Sequence, residues 1–352
     1  MKKDVETRLY QVRSRRLRQM PEFIVNFILL NQEKFGLNTQ IAYLKDYTIF
    51  FEYLITIKEF EHYTSIDEFT FEDMKVLEEI HIWQFLEYLD SYKKTFIKKD
   101  GKEYTQTFRN TKQGKARKIA SIHKLFEYLE RTYKILDPSK YVEIEVKKTR
   151  QIKERLTKEE LELFVDTIMN DVNIESERKL KFHQRIKYRD LAMLLILAFT
   201  GIRISELVQI DIRDISLEDG AMVVIRKGGD QEKLYMPVEI VPFLSEYIDE
   251  RKRVLDIDLE YKDALFISNQ KRRIDPKTVR YMIDKYAKRA GITIKVTPHT
   301  FRRTFATKLL NLYDNIELVA QQLGHASIET ARRFYADLSD EKKKSSMRKF
   351  KY

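Results

Sequence analysis

A histidine and an arginine three residues apart give this chain its first chemical signal. Residues 297–335 read TPHTFRRTFATKLLNLYDNIELVAQQLGHASIETARRFY. Thr297 is a good helix N-cap and Pro298 a good first helical residue, so His299 and Arg302 fall on one face of a helix's opening turns. There they can address one phosphate. Gly324 reads as the residue that closes a helix and Ser327 as the cap of a final one. That leaves His325 in the turn between them, with Phe334 or Tyr335 about two turns further on. An imidazole moves protons near neutral pH, a guanidinium grips two phosphate oxygens, and a phenol can serve as a nucleophile. The order of these residues suits phosphodiester chemistry.

Other elements must carry partners to that stretch. Residues 191–201, LAMLLILAFTG, form the longest apolar run and predict a buried helix, too short for the roughly 20 residues that span a bilayer. The run passes into TGIRISEL, residues 200–207. There Gly201 allows an unusual turn, Arg203 emerges at the edge of the core, and Glu206 is its obvious ion-pair partner. Residues 221–225 and 233–238 read as strands around Lys227-Gly228-Gly229-Asp230, a hairpin with Lys227 at its mouth. Thr157 with Glu160 forms a capping box that starts a helix, and Asp275-Pro276 opens another that Gly291 closes. Residues 170–189 are polar and read as an extended loop.

Composition bounds the possibilities. Lys plus Arg number 66 against 55 Asp plus Glu, an excess of 11 over 352 residues, which favours a polyanionic partner and two domains. The absence of cysteine excludes disulfides, a thiol nucleophile and a cysteine-based metal site. His299 and His325 lack an HExxH pattern or a carboxylate at ligand spacing, so no metal is expected. His62, His81, His123 and His183 have no comparable partners and read as structural. The N-terminal residues have no apolar h-region, which leads us to expect a soluble, cytoplasmic protein with no membrane segment.

The first half carries helical patterning. Phe23, Ile24, Phe27 and Ile28 share a face, as do Ile41, Leu44, Tyr47, Phe51 and Leu54 after a cap at Asn38; a third segment from Phe71 includes Met74, Leu77, Ile80 and Trp83. After a basic stretch, YKKTFIKKDGKEYTQT, taken as a loop, residues 111–133 place Ile119, Ile122, Phe126, Leu129 and Tyr133 on one stripe. Lys112, Lys115, Arg117, Lys118 and Lys124 lie mostly off it, a helix face suited to phosphates. Asp137-Pro138 and the loss of periodicity mark residues 136–155 as a basic linker. The expected organisation is a helical domain at 1–135 with a basic N-terminal segment, the linker, and a second domain at 156–352.

Together TGIRISEL with Arg203, RKGG with Lys227, HTFRRTFAT with His299 and Arg302, and LGHAS with His325 resemble the motifs of the tyrosine recombinases, or phage integrase family, in the family's order. The nearest flavour is that of Xer-like recombinases and transposon integrases. The resemblance covers about residues 156–340. It implies a two-domain clamp, mainly α with a small antiparallel β-hairpin or sheet, in which a core-binding domain precedes an α+β catalytic domain. It further implies site-specific DNA recombination, as in integration, transposition or chromosome dimer resolution. Strands would be exchanged through a 3′-phosphotyrosyl intermediate and a Holliday junction, without cofactor or metal. The expected partners are double-stranded DNA with paired half-sites and a homotetramer on two duplexes.

In that chemistry Arg203 and Arg302 hold the non-bridging oxygens, Lys227 is the general acid, His299 assists proton removal, His325 donates to the phosphate, and Glu206 orients the site. Lys112, Lys115, Arg117, Lys118 and Arg303 complete the DNA-binding set. The family's tyrosine lies nine residues after the LGH histidine, which is Phe334 here, with Tyr335 one residue and roughly 100 degrees of helix further on. Either Phe334 has replaced the nucleophile, which the ADLS register after it favours, or a one-residue insertion makes Tyr335 the nucleophile. The competing functions are a type IB topoisomerase-like relaxase and an inactive DNA-binding regulator.

Overall fold

The structure is a computed structural model, and it describes residues 3–98, 100–146, 154–226 and 228–324. Two compact units divide the chain, one of residues 5–150 and one of residues 151–352 with the first four.

The first unit is a helical cluster. Its helices are α1 (Lys3–Leu17), α2 (Glu22–Leu30), α3 (Leu37–Leu54), α4 (Glu79–Tyr88) and α5 (Lys112–Tyr133). The expected stripe of α5 is buried at Ile119, Ile122, Phe126 and Leu129, against a core that includes Phe27, Leu44, Tyr47, Phe50 and Phe85. Tyr47 donates its hydroxyl to the Ser121 carbonyl at 2.9 Å and so pins α3 to α5. Thr111 caps α5 by accepting from the Gly114 amide. Helix α3 starts at Leu37 after Gly36, one residue before the Asn38 expected as its cap. Trp83 stays exposed on α4, its indole donating to Glu79 at 3.0 Å.

One expectation for this half is corrected. The basic stretch after α4 is an antiparallel ribbon, β1 (Tyr92–Ile97) with β2 (Glu103–Phe108), rather than a loop. Asp100-Gly101 supplies the turn, with Gly101 at φ +79, and aromatic residues at alternate positions share one face. Within the expected linker 136–155, Ser139 and Val142 pack into the first unit, and just past it Leu156 is buried in the second, its amide donating to Thr304 Oγ1 at 2.9 Å.

The second unit surrounds a buried helix. Its elements in order are α6 (Lys158–Met169), α7 (Glu177–Gln184), α8 (Lys187–Thr200), α9 (Ile204–Leu207), β3 (Ile215–Ser216), β4 (Ala221–Ile225), β5 (Gln231–Tyr235), α10 (Val241–Lys252), α11 (Pro276–Arg289), α12 (Pro298–Tyr313) and α13 (Ile316–Leu323). The apolar run of α8 is buried from Leu191 to Ala198 and packs with α6, α10 and α12. The expected hairpin is the β4–β5 pair of a three-stranded antiparallel sheet in the order β3-β4-β5, with Met222 facing Leu234 in register. The polar segment expected as a loop contains α7, which forms because Ser176 caps it and His183 turns inward to Tyr286 Oη at 3.0 Å. Among the described residues no helix is long and apolar enough to cross a membrane.

A candidate phosphodiester site

Gly201 ends α8 at φ +63, and a Cβ there would meet the Phe305 ring at 2.5 Å and Leu323 at 2.9 Å. Only glycine lets the chain reverse this close to α12 and α13. The reversal carries Arg203 to the start of α9, where its amide donates to Glu206 Oε2 and its Nη1 to Glu206 Oε1, each at 2.8 Å. Glu206 is thus the partner expected for Arg203, and it is buried.

Helix α12 begins as its sequence requires. Thr297 caps it by accepting from the Thr300 amide at 3.2 Å, and Pro298 takes the first turn. Arg302, one turn in, is 5 % exposed. It donates Nη1 to the Gly201 carbonyl at 2.8 Å and Nη2 to the Leu323 carbonyl at 2.6 Å. Arg203 donates Nη2 to the Gly324 carbonyl at 3.1 Å. The two arginines, distant in sequence, therefore converge on the C-terminal carbonyls of α13, which Gly324 closes at φ +58 as expected.

A third arginine completes the set, and sequence reasoning missed it. Arg226, at the end of β4, donates Nη2 to the Gln322 carbonyl at 2.9 Å, Nη1 to Glu206 Oε2 at 2.9 Å and Nε to Glu232 Oε2 at 2.5 Å. Consecutive carbonyls 322, 323 and 324 each receive one guanidinium, at the end of a helix whose dipole attracts cations. The available signal was a cation at the inner end of an apolar strand, AMVVIR, where an unpaired charge is costly.

Burial, and then Arg203, pushes the Arg302 guanidinium down to about 10, which still leaves it a cation at neutral pH. His299 sits exposed on the first turn of α12. Partial burial, then Arg302, Arg303, Arg203 and Arg280, holds its imidazole below the ordinary value, so it is a neutral proton acceptor at pH 7. Arg280 on α11 is a further charge in this neighbourhood that the sequence did not single out. Arg303 donates Nη2 to Thr300 Oγ1 at 3.4 Å. Lys227, His325, Phe334 and Tyr335 lie outside the described residues.

The basic face expected on α5 is corrected in part. Lys118 is buried and donates to Asn110 Oδ1 at 2.7 Å, so it cannot face DNA, and burial lowers its pKa. Lys115 pairs with Asp90 at 2.6 Å and Arg117 with buried Asp46 at 2.5 Å. Lys112 remains exposed. The reason is geometric: α5 packs on α3, and Asp46 of α3, Asp90 just after α4 and Asn110 just before α5 capture its flanking cations.

Each guanidinium carries five N–H donors, and the contacts of Arg203 and of Arg302 each engage two of them. Among the contacts of the described residues, three donors remain on each. A helical protein that gathers arginines from an αL turn, a three-stranded sheet and a capped helix around one helix end is, in class, a phosphate-handling protein. Comparison with known proteins makes this specific. The model of the phage integrase family matches residues 154–342, and the chain belongs to that family, the tyrosine recombinases. It is 30 % identical to the tyrosine recombinase XerS of Streptococcus thermophilus, with 92 % of this chain and 94 % of that protein aligned. Its fold is similar to that of XerH site-specific recombinase bound to a palindromic difH substrate, at a TM-score of 0.60 and 20 % identity over 90 % of this chain and 80 % of that one. It is also similar to the Tn1549 transposon integrase in complex with transposon right end DNA, at 0.59 and 17 % over 92 % and 99 %. The mainly α fold with small antiparallel sheets agrees with the expectation from sequence.

Proposed function

We propose that this chain recognises paired DNA half-sites as a homotetramer on two duplexes and carries the tyrosine recombinase machinery for exchanging strands between them, with the nucleophile position substituted in the given sequence. The observation that carries the reading is the convergence of Arg203 and Arg302 on the last turn of α13, with neutral His299 beside them. A phosphodiester under attack gathers charge on its non-bridging oxygens, and the free donors of the two guanidiniums match that charge. His299 accepts the proton of the attacking hydroxyl, Lys227 protonates the leaving 5′ oxygen, and His325 donates to the phosphate. Glu206 orients the site by fixing the rotamer of Arg203.

The nucleophile position is Phe334, and the chain as it stands binds its site without cleaving. A nicked suicide substrate, on which cleavage traps the covalent protein–DNA adduct, tests this with the given sequence, Phe334→Tyr and Tyr335→Phe. The expected result is an adduct with Phe334→Tyr alone. An adduct from the given sequence that Tyr335→Phe abolishes makes Tyr335 the nucleophile and overturns the assignment. Site-specific binding with no adduct from any version supports a DNA-binding regulator instead.

A further inference from the structure

Resting on the reading that DNA is the ligand, we propose that the β1–β2 ribbon of the first unit is a second DNA-contacting element, laid along the phosphate backbone by its outer face. The two faces of the ribbon differ in kind. Tyr92, Phe96, Tyr104 and Phe108 share the inner face, where Tyr88, Tyr92 and Phe108 stack in series with centroids 5.1 and 5.5 Å apart. That stack roots the ribbon in the helical core. The outer face pairs Lys93 with Thr107, Thr95 with Thr105 and, at the turn end, Ile97 with Glu103, all exposed. Beyond the strands Lys98 and Lys102 flank the turn, Lys98 lying 5.5 Å over the Tyr104 ring.

Charge decides between solvation and contact. Lys115, Arg117 and Lys118 on neighbouring α5 are taken by Asp90, Asp46 and Asn110. Among the described residues of the ribbon only Lys94, on the inner face, pairs with a carboxylate, that of Glu52. Lys93, Lys98 and Lys102 keep exposed ammoniums, and no described carboxylate lies in salt-bridge range of them. Ammonium and hydroxyl donors in rows are the groups that bind phosphate oxygens without reading sequence. Six strand residues extend about 20 Å, against one phosphate per roughly 3.4 Å of axis on each DNA strand. A protein partner fits less well, since the centre of this face is threonine and lysine and its one apolar side chain, Ile97, stands at the turn end beside Glu103, where a protein interface needs an apolar centre.

The test is the salt dependence of binding of the full chain to a random-sequence duplex, since phosphate contacts need no site. Each lost contact lowers the slope of log K against log salt by about 0.9. Lys93→Gln/Lys98→Gln/Lys102→Gln is therefore expected to reduce the slope by about 2.7, and to weaken binding on the order of a hundredfold near physiological salt. A control that removes the same charge elsewhere on the unit, Lys34→Gln/Lys58→Gln/Lys75→Gln, is expected to change affinity by less than about threefold. All six positions are exposed, and unchanged thermal unfolding checks that the variants fold. Equal effects of the two triples, or a loss of self-association with DNA affinity intact, overturn the inference while leaving the recombinase reading in place. If the unsubstituted chain binds no duplex, both fall together.

Discussion

Arg226→Met is the sharpest test of how the site is held. Methionine matches much of the arginine stem while deleting three charge-assisted bonds, to Glu206, Glu232 and the Gln322 carbonyl. Glu232 is 33 % exposed and recovers water, so losing it costs close to nothing. Glu206 is 3 % exposed. Stripping a buried carboxylate of its only partner costs about 3–5 kcal/mol, and because Arg203 still donates its amide and Nη1 we take about 2 kcal/mol. The orphaned carbonyl adds about 1 kcal/mol. A loss of about 3 kcal/mol lowers the melting point of a unit of this size by roughly 6–12 °C. Scanning calorimetry on the full chain reads this in the transition of the second unit, and Arg226→Lys, which keeps one cation, should fall between. Adding Glu206→Gln to Arg226→Met should cost less than Glu206→Gln alone, by about 1–3 kcal/mol of coupling. A midpoint unchanged within about 2 °C, or strict additivity of the pair, refutes Arg226 as the clamp on Glu206.

Two further outcomes follow from local geometry. Gly201→Ala places a Cβ 2.5 Å from the Phe305 ring at φ +63, whereas Gly291→Ala at φ +68 meets nothing within 4 Å. Urea unfolding should show about 1 kcal/mol lost at Gly291 from the left-handed backbone alone, and at least about twice that at Gly201, with equal losses counting against the close approach. His183 is buried between the Ile168 carbonyl and Tyr286, and burial pushes its pKa below the ordinary value near 6.5. Its contribution to stability is therefore complete above that ordinary value and is lost as pH falls through the lower folded one, by at most about 1.4 kcal/mol per pH unit. His183→Gln should flatten this part of the profile; an identical slope with and without the imidazole excludes it as the titrating group.

What the sequence disclosed was local, and what it concealed depended on distance along the chain. Thr297 and Pro298 opening α12, Gly324 closing α13 and Glu206 answering Arg203 are all contained in a few residues. Arg226 was invisible as a site residue because Glu206 lies 20 residues before it and Gln322 lies 96 after it. The ribbon was misread because lysines interrupt its period of two, and only one face has a core to bury. Lys118 was assigned to a DNA face because a helical wheel shows which residues leave the apolar stripe. It does not show that Asn110 and Asp46 wait beside it on other elements.

The arrangement around α13 answers a problem that a site built from several arginines must solve. Arginines held ready for one phosphate repel one another, as the lowering of Arg302 by Arg203 registers. Carboxylates would hold them apart, but each carboxylate cancels a charge that the developing phosphorane needs. Among the described residues one buried carboxylate, Glu206, is shared by Arg203 and Arg226, Glu232 sits at the solvent edge, and further restraint comes from four carbonyls, of Gly201, Gln322, Leu323 and Gly324. Carbonyl dipoles orient a guanidinium without neutralising it. Three arginines against two carboxylates leave a net positive charge among these residues, and its placement depends on α13 ending where Gly324 ends it.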